Sequence, residues 1–76
     1  MEESFYIKVN NILYEVITEE SHTYTIFKWG AEYMQILRNK NQKWMRIDYK
    51  TDLPIVEEND EVEDVGEAID KKFSRI

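Results

Sequence analysis

Residues 5–16 constrain the fold more than any other stretch, because they alternate in period two about a pair of asparagines. Phe5, Ile7 and Val9 are separated by Tyr6 and Lys8, Asn10-Asn11 follows, and Ile12, Tyr14 and Val16 are separated by Leu13 and Glu15. Successive side chains on a strand point to opposite faces, so each run presents three apolar residues on one side. Asparagine tolerates a positive φ, and two in a row suit the two-residue primed turn of a hairpin. A two-residue loop sets Val9 opposite Ile12, Ile7 opposite Tyr14 and Phe5 opposite Val16. All six then share a face, and a slip of one residue would move each run to the other side. The chain therefore opens with a half-buried hairpin.

The same period continues to about residue 50. Glu19-Glu20-Ser21-His22 is a polar connection, and a third strand is expected at 23–28, with Tyr24 and Ile26 facing away from Thr25 and Phe27. Trp29-Gly30-Ala31 turns the chain, Gly30 being the natural holder of a positive φ. Strands at 32–38 and 43–49 flank Asn39-Lys40-Asn41-Gln42. Pairing Arg38 with Lys43 puts Met34 and Ile36 beside Met45 and Ile47 on the core face. Tyr33 and Leu37 then fall on the opposite face with Trp44.

Residues 51–58 read as a connector. Its apolar stretch Leu53–Val56 contains Pro54, which cannot donate to a ladder, so it is at most an edge segment. A helix is expected over 59–75, opened by Asn59 or Asp60, with Asp60 and Glu63 at capping-box spacing and acids crowding the first turn. Val62, Val65, Gly66, Ile69 and Phe73 form one apolar stripe at helical spacing. Lys71, Lys72 and Arg75 complement the negative end of the helix dipole. Gly66 within that stripe costs about 1 kcal/mol of helix stability relative to Ala. Its presence points to a close approach to the sheet, or to a gap filled by a large side chain such as Trp44. The fold class that follows is α+β, an antiparallel meander of about five strands with one C-terminal amphipathic helix packed on one face. Residues 1–76 make one domain, with a sheet region at 1–50, and a strongly twisted sheet could curl around the helix.

Charge and composition narrow the function. The net charge of −6 resides entirely in residues 51–76, because residues 1–50 hold seven acids and seven bases. Thr51 to Asp70 contains no basic residue, a surface that repels phosphate backbones and excludes ordinary nucleic-acid binding. The absence of cysteine removes thiol catalysis and thiolate metal sites and favours a reducing compartment. With no signal-peptide pattern and no membrane-length apolar run, the expected location is the cytoplasm.

No motif supports chemistry. His22, the one histidine, lies in a polar turn beside Ser21, and adjacent side chains on extended backbone point apart. The run from Glu57 to Asp64 lacks the sixth-position Gly and twelfth-position Glu of a calcium loop in either frame tested. No phosphate-cradling glycine loop or nucleophile elbow occurs. The chain is expected to be no enzyme, with no catalytic residue, cofactor or metal.

The aromatic residues carry the remaining signal. One helix covers one face, so Tyr6, Leu13, Phe27, Tyr33, Leu37 and Trp44 are expected on the other, where an apolar surface marks a contact site. The expected function is a protein–protein interaction module, its partner another protein or a second copy of itself in a homodimer. Two alternatives stand beside it. One is an acidic decoy, in which Glu61, Asp64 and Glu67 imitate a phosphate backbone for a basic, nucleic-acid-binding protein. The other is a small-ligand-binding domain with its pocket between sheet and helix.

Overall fold

A computed structural model describes residues 4–20, 22–57 and 59–73. Five antiparallel strands, β1 (Ser4–Val9), β2 (Ile12–Thr18), β3 (Thr23–Lys28), β4 (Ala31–Arg38) and β5 (Trp44–Arg46), form one sheet in sequential order. Helix α1 (Asp60–Phe73) follows. The class is α+β, as the patterning requires.

The β1–β2 ladder has the expected register: Val9 faces Ile12, Ile7 faces Tyr14 and Phe5 faces Val16. Asn10 and Asn11 sit at φ 51° and 68°, the conformation of a primed turn. The next hairpin repeats that geometry with different residues. Lys28 pairs with Ala31, so the turn is Trp29-Gly30, at φ 54° and 81°. A β-bulge follows. Ile26 opposes Met34 but Phe27 opposes Glu32, which leaves Tyr33 as the extra residue of β4.

The β4–β5 ladder differs from expectation by one residue. Arg38 pairs with Trp44, Leu37 with Met45 and Ile36 with Arg46. The reason lies in the loop, which is five residues long and not four. Asn39 N donates to Lys43 O at 2.9 Å, and Asn39 Oδ1 accepts from the amides of Asn41 and Lys43. Gln42 takes the positive φ, at 65°. A one-residue shift exchanges the two faces. Trp44 therefore enters the core, while Met45 pairs beside Leu37 on the outer face.

β5 is also shorter than expected, because the chain turns at Asp48. Asp52 N donates to Asp48 O at 2.7 Å and Asp48 N to Leu53 O at 3.0 Å. The connector then returns along β5, with Pro54 bridging Ile47 and Ile55 N donating to Arg46 O. Leu53–Val56 is thus the edge segment its proline allows.

Asn59, and not Asp60, caps the helix. Its Oδ1 accepts from Val62 N at 3.2 Å and its carbonyl accepts from Glu63 N. With the cap at 59, the third helical residue is Val62, so Asp60 and Glu63 form no capping box. Val62, Val65, Gly66 and Ile69 are buried, and Phe73 meets Phe5 edge-on at 5.1 Å. Arg75 and the end of the expected helix lie outside the described residues.

The helix backbone runs close to β1, β4 and β5 and stands off β2 and β3. The sheet is therefore coiled, and the helix closes its open side. Near-equal extents of 30, 30 and 29 Å agree with that shape. Inside lie Ile7, Tyr14, Val16, Ile26, Met34, Ile36 and Trp44 from the sheet, with Val62, Val65 and Ile69 from the helix. Gly66 lets this packing occur, since a Cβ there would fall onto the Trp44 indole. Among the described residues no helix is long and apolar enough to cross a membrane.

Candidate functional site

Strand direction decides what meets at each end of the coiled sheet. β3 runs toward the Trp29-Gly30 turn, and β5, antiparallel to β4, runs toward the same end and into the Asp48–Leu53 turn. The first turn of α1 arrives there too, as the contacts of Glu61 show. Tyr14 Oη donates to Glu61 Oε2 at 2.6 Å, Tyr33 Oη donates to Oε1 at 2.6 Å, and Lys28 Nζ lies 3.3 Å from Oε2. One carboxylate thus ties β2, β3 and β4 to the helix start.

The electrostatics of this cluster are those of a latch. Partial burial pushes the Glu61 carboxyl up, but hydrogen bonds from Tyr14, Tyr33 and Lys28 outweigh it and hold the group below its ordinary range. The Tyr14 phenol is driven well above its ordinary value, first by burial and then by the Glu61 carboxylate beside it. Tyr33 is raised too, chiefly by its hydrogen bond to Glu61. Glu61 therefore stays charged and the two phenols stay neutral near neutrality. Neither state is poised to move a proton. A second latch ties the connector to the sheet: Arg46 meets both oxygens of Glu57 at 3.2 Å. That pairing lowers the Glu57 carboxyl and raises the Arg46 guanidinium.

Around the Glu61 latch stands an aromatic rim. Lys28 Nζ lies 4.4 Å from the Tyr33 ring centre and 5.0 Å from that of Trp29, with Tyr14 at 5.8 Å. Tyr33 also lines a groove of about 300 Å3 with Tyr49, Glu32, Gln35 and Arg46. Lys50 Nζ lies 5.9 Å from the Tyr49 ring. Trp29 is 81% exposed, Tyr49 83% and Tyr33 46%. Two of these rings depend on unusual backbone. Trp29 holds a positive φ, which disfavours a bulky residue, and Tyr33 is the bulged residue of β4.

The six residues expected on one outer face do not stay together. Tyr6 and Leu13 are 59% and 55% exposed on the convex side of the sheet, and Phe27 and Leu37 are half-buried there. Trp44 is instead a core residue, tilted against Tyr24 at 5.6 Å. Tyr33 is turned by the bulge toward the helix start. The outer face is also broken by polar groups, as Gln35 donates to Thr25 and Thr25 to Glu19.

The expected acidic face divides as well. Glu61 is engaged by three donors, so of that trio only the half-buried Asp64 and the exposed Glu67 remain turned from the latch. His22 is exposed in its turn, and Ser21 lies outside the described residues. Among the described residues no three or more His, Asp or Glu side chains form a group that could hold a metal. Of the rim, the sequence points to Tyr33 alone as a contact residue: Trp29 is expected in a Trp29-Gly30-Ala31 turn and Tyr49 at the end of a strand over 43–49, and periodicity does not bring the three to one end. Matching Lys28 to Ala31, as Val9 matches Ile12, would have placed Trp29 at a turn tip.

Comparison with known protein families, curated proteins and solved structures returned no match to this chain.

Proposed function

We propose that the chain is a non-enzymatic protein-binding module that docks its partner on the end framed by Trp29, Tyr33 and Tyr49. The observation behind this reading is the gathering of three exposed aromatic rings at one end, one of them, Trp29, on backbone that its side chain does not favour. Large aromatics at a water-facing position are the residue types that dominate binding energy when a partner desolvates them. Unfavourable backbone retained at a surface is a feature of functional sites. The Glu61 latch fixes Tyr33 in place, which lowers the ordering cost of association at that ring.

The test is a photo-crosslinking capture with the full chain, followed by mapping of the crosslinked residues. Crosslinks centred on Trp29, Tyr33 and Tyr49 are expected, along with loss of the captured protein in a Trp29→Ser/Tyr49→Ser variant. A Tyr6→Ser/Leu13→Ser variant should capture as well as the parent. Crosslinks confined to Tyr6 and Leu13 would reject the reading.

One observation favours a second surface. Tyr6 and Leu13, both more than half exposed, continue into Phe27 and Leu37 on the convex side. Self-association through that strip would hide it. Sedimentation equilibrium would then show a dimer that the Tyr6→Ser/Leu13→Ser variant loses.

A further inference from the structure

Building on the contact surface proposed above, we infer that the Trp29–Tyr33–Tyr49 end recognises cationic side chains, so that its partner presents a segment rich in Arg or Lys. Two features support this inference independently. The first is how the rings already behave. The chain's own Lys28 ammonium lies within 6 Å of Trp29 and Tyr33, and Lys50 within 6 Å of Tyr49, while Trp29 and Tyr49 stay more than four-fifths exposed, which leaves ring surface open to a second cation. A ring face attracts a cation electrostatically, and the attraction strengthens when the pair is shielded from water.

The second is charge. Lys28, Arg46 and Lys50 are the cations of the segments that build this end, against the carboxylates of Glu32, Asp48, Asp52, Glu57, Asp60 and Glu61. Lys28 is neutralised by Glu61 and Arg46 by Glu57. Glu32 is exposed and lines the Tyr33–Tyr49 groove, where it would face an incoming ammonium or guanidinium, while the other charged residue of the groove wall, Arg46, is already paired with Glu57. The whole chain, at −6, draws the same partner from a distance. The groove, of about 300 Å3, has room for one long side chain against Tyr33 and Tyr49. A partner with several cations in sequence would fill the groove with one and lay another on Trp29.

The experiment uses the two tryptophans as opposed reporters. Their indole N–H signals, assigned with Trp29→Phe, report the exposed rim and the buried core separately. Short Arg-Gly and Lys-Gly repeat peptides are titrated into the full chain, with a Glu-Gly repeat and a neutral Leu-Ser-Tyr repeat as comparisons. The cationic peptides should shift the signals of Trp29, Tyr33 and Tyr49 saturably and leave Trp44 unmoved. Removing one ring, with Trp29→Ser or Tyr49→Ser, should weaken binding roughly two- to fivefold. Glu32→Gln should weaken it in the same direction.

Other outcomes overturn the inference in distinguishable ways. Shifts confined to Asp64 and Glu67 would assign cation binding to the helix acids. Equal binding by the ring variants would reduce the effect to diffuse charge attraction. If the neutral peptide moves the rim signals and the cationic ones do not, the contact surface stands and its cationic preference falls. If no peptide moves them, the cationic preference falls, and the contact surface stands or falls on where the crosslinks map.

Discussion

The β1–β2 and β3–β4 hairpins use the same two-residue turn and put it to opposite uses. Asn10-Asn11 supplies two residues that accept positive φ, and the ladder beyond it is regular from Val9–Ile12 to Ser4–Ile17. Trp29-Gly30 supplies one such residue and one that resists, and the ladder beyond it breaks at a bulge within three residues. The first hairpin spends its regularity on the core, burying Ile7, Tyr14 and Val16. The second buries Ile26, Met34 and Ile36 as well, but its turn and bulge set Trp29 and Tyr33 at the exposed end beside Glu61. Local consistency runs through the whole first hairpin, and local conflict is confined to the turn and bulge of the second.

Both hairpins are tethered to the helix through Glu61, so the largest effect should come from removing that carboxylate. Glu61→Gln leaves Lys28 without its carboxylate and weakens the acceptor for both tyrosines. A loss of about 2–3 kcal/mol is expected, roughly 10 °C or more in Tm for a domain of this size. Thermal unfolding followed by circular dichroism checks it. The pH dependence has a definite sign. A carboxyl held below its ordinary range contributes stability that is fully present above that range and is lost as pH falls through the lowered value. The parent should therefore lose stability on acidification more steeply than Glu61→Gln. Parallel acid limbs in the two proteins would show that Glu61 carries no such linkage.

A smaller effect separates the hairpins themselves. Tyr14 is buried and Tyr33 is nearly half exposed, though both donate to the same carboxylate at 2.6 Å. Tyr14→Phe removes a donor that water cannot replace, and should cost about 1.5–2 kcal/mol. Tyr33→Phe opens a position that water reaches, and should cost under about 1 kcal/mol. Denaturant titration of both variants gives the two numbers on one scale. Equal losses would mean that the second hairpin is anchored as firmly as the first.

How much of this was legible depended on whether local chemistry agreed with register. The β1–β2 pairing could be read because six apolar residues and two asparagines all specify one alignment. The helix could be read from its stripe, and Gly66 announced the close approach that Trp44 fills. Trp44 itself was misplaced on the outer face because the β4–β5 loop length rests on Asn39. Its side chain holds the loop by accepting two amides, and neither period nor composition encodes that. Tyr33 was misplaced because a bulge changes the parity of a strand without leaving a sequence mark of its own. The acids teach the opposite lesson: Glu61, expected with Asp64 and Glu67 on an acidic outer face, is the junction of three strands and the helix.

The smallest effect tests whether the second turn is built for something other than folding. A bulky residue at φ 54° is strained by about 1 kcal/mol, whereas asparagine adopts that conformation readily. Trp29→Asn should relieve most of the strain and forfeit the contact with Lys28, worth about 0.5–1 kcal/mol at an exposed site. The two terms nearly cancel, leaving a change within about 0.5 kcal/mol of zero, measured by thermal and denaturant unfolding. The reciprocal Asn10→Trp, at φ 51°, follows Val9 where Trp29 follows Lys28, so it lacks that adjacent lysine to offset its strain and should cost about 1 kcal/mol. If Trp29→Asn instead destabilised the fold by well over 1 kcal/mol, the ring would be serving the hairpin, and its exposure would not signal a partner. A neutral result at Trp29 beside a loss at Asn10 would mean that strain and the Lys28 contact offset each other, so that net stability gives no reason for a large, water-facing tryptophan there, as the proposed recognition role requires.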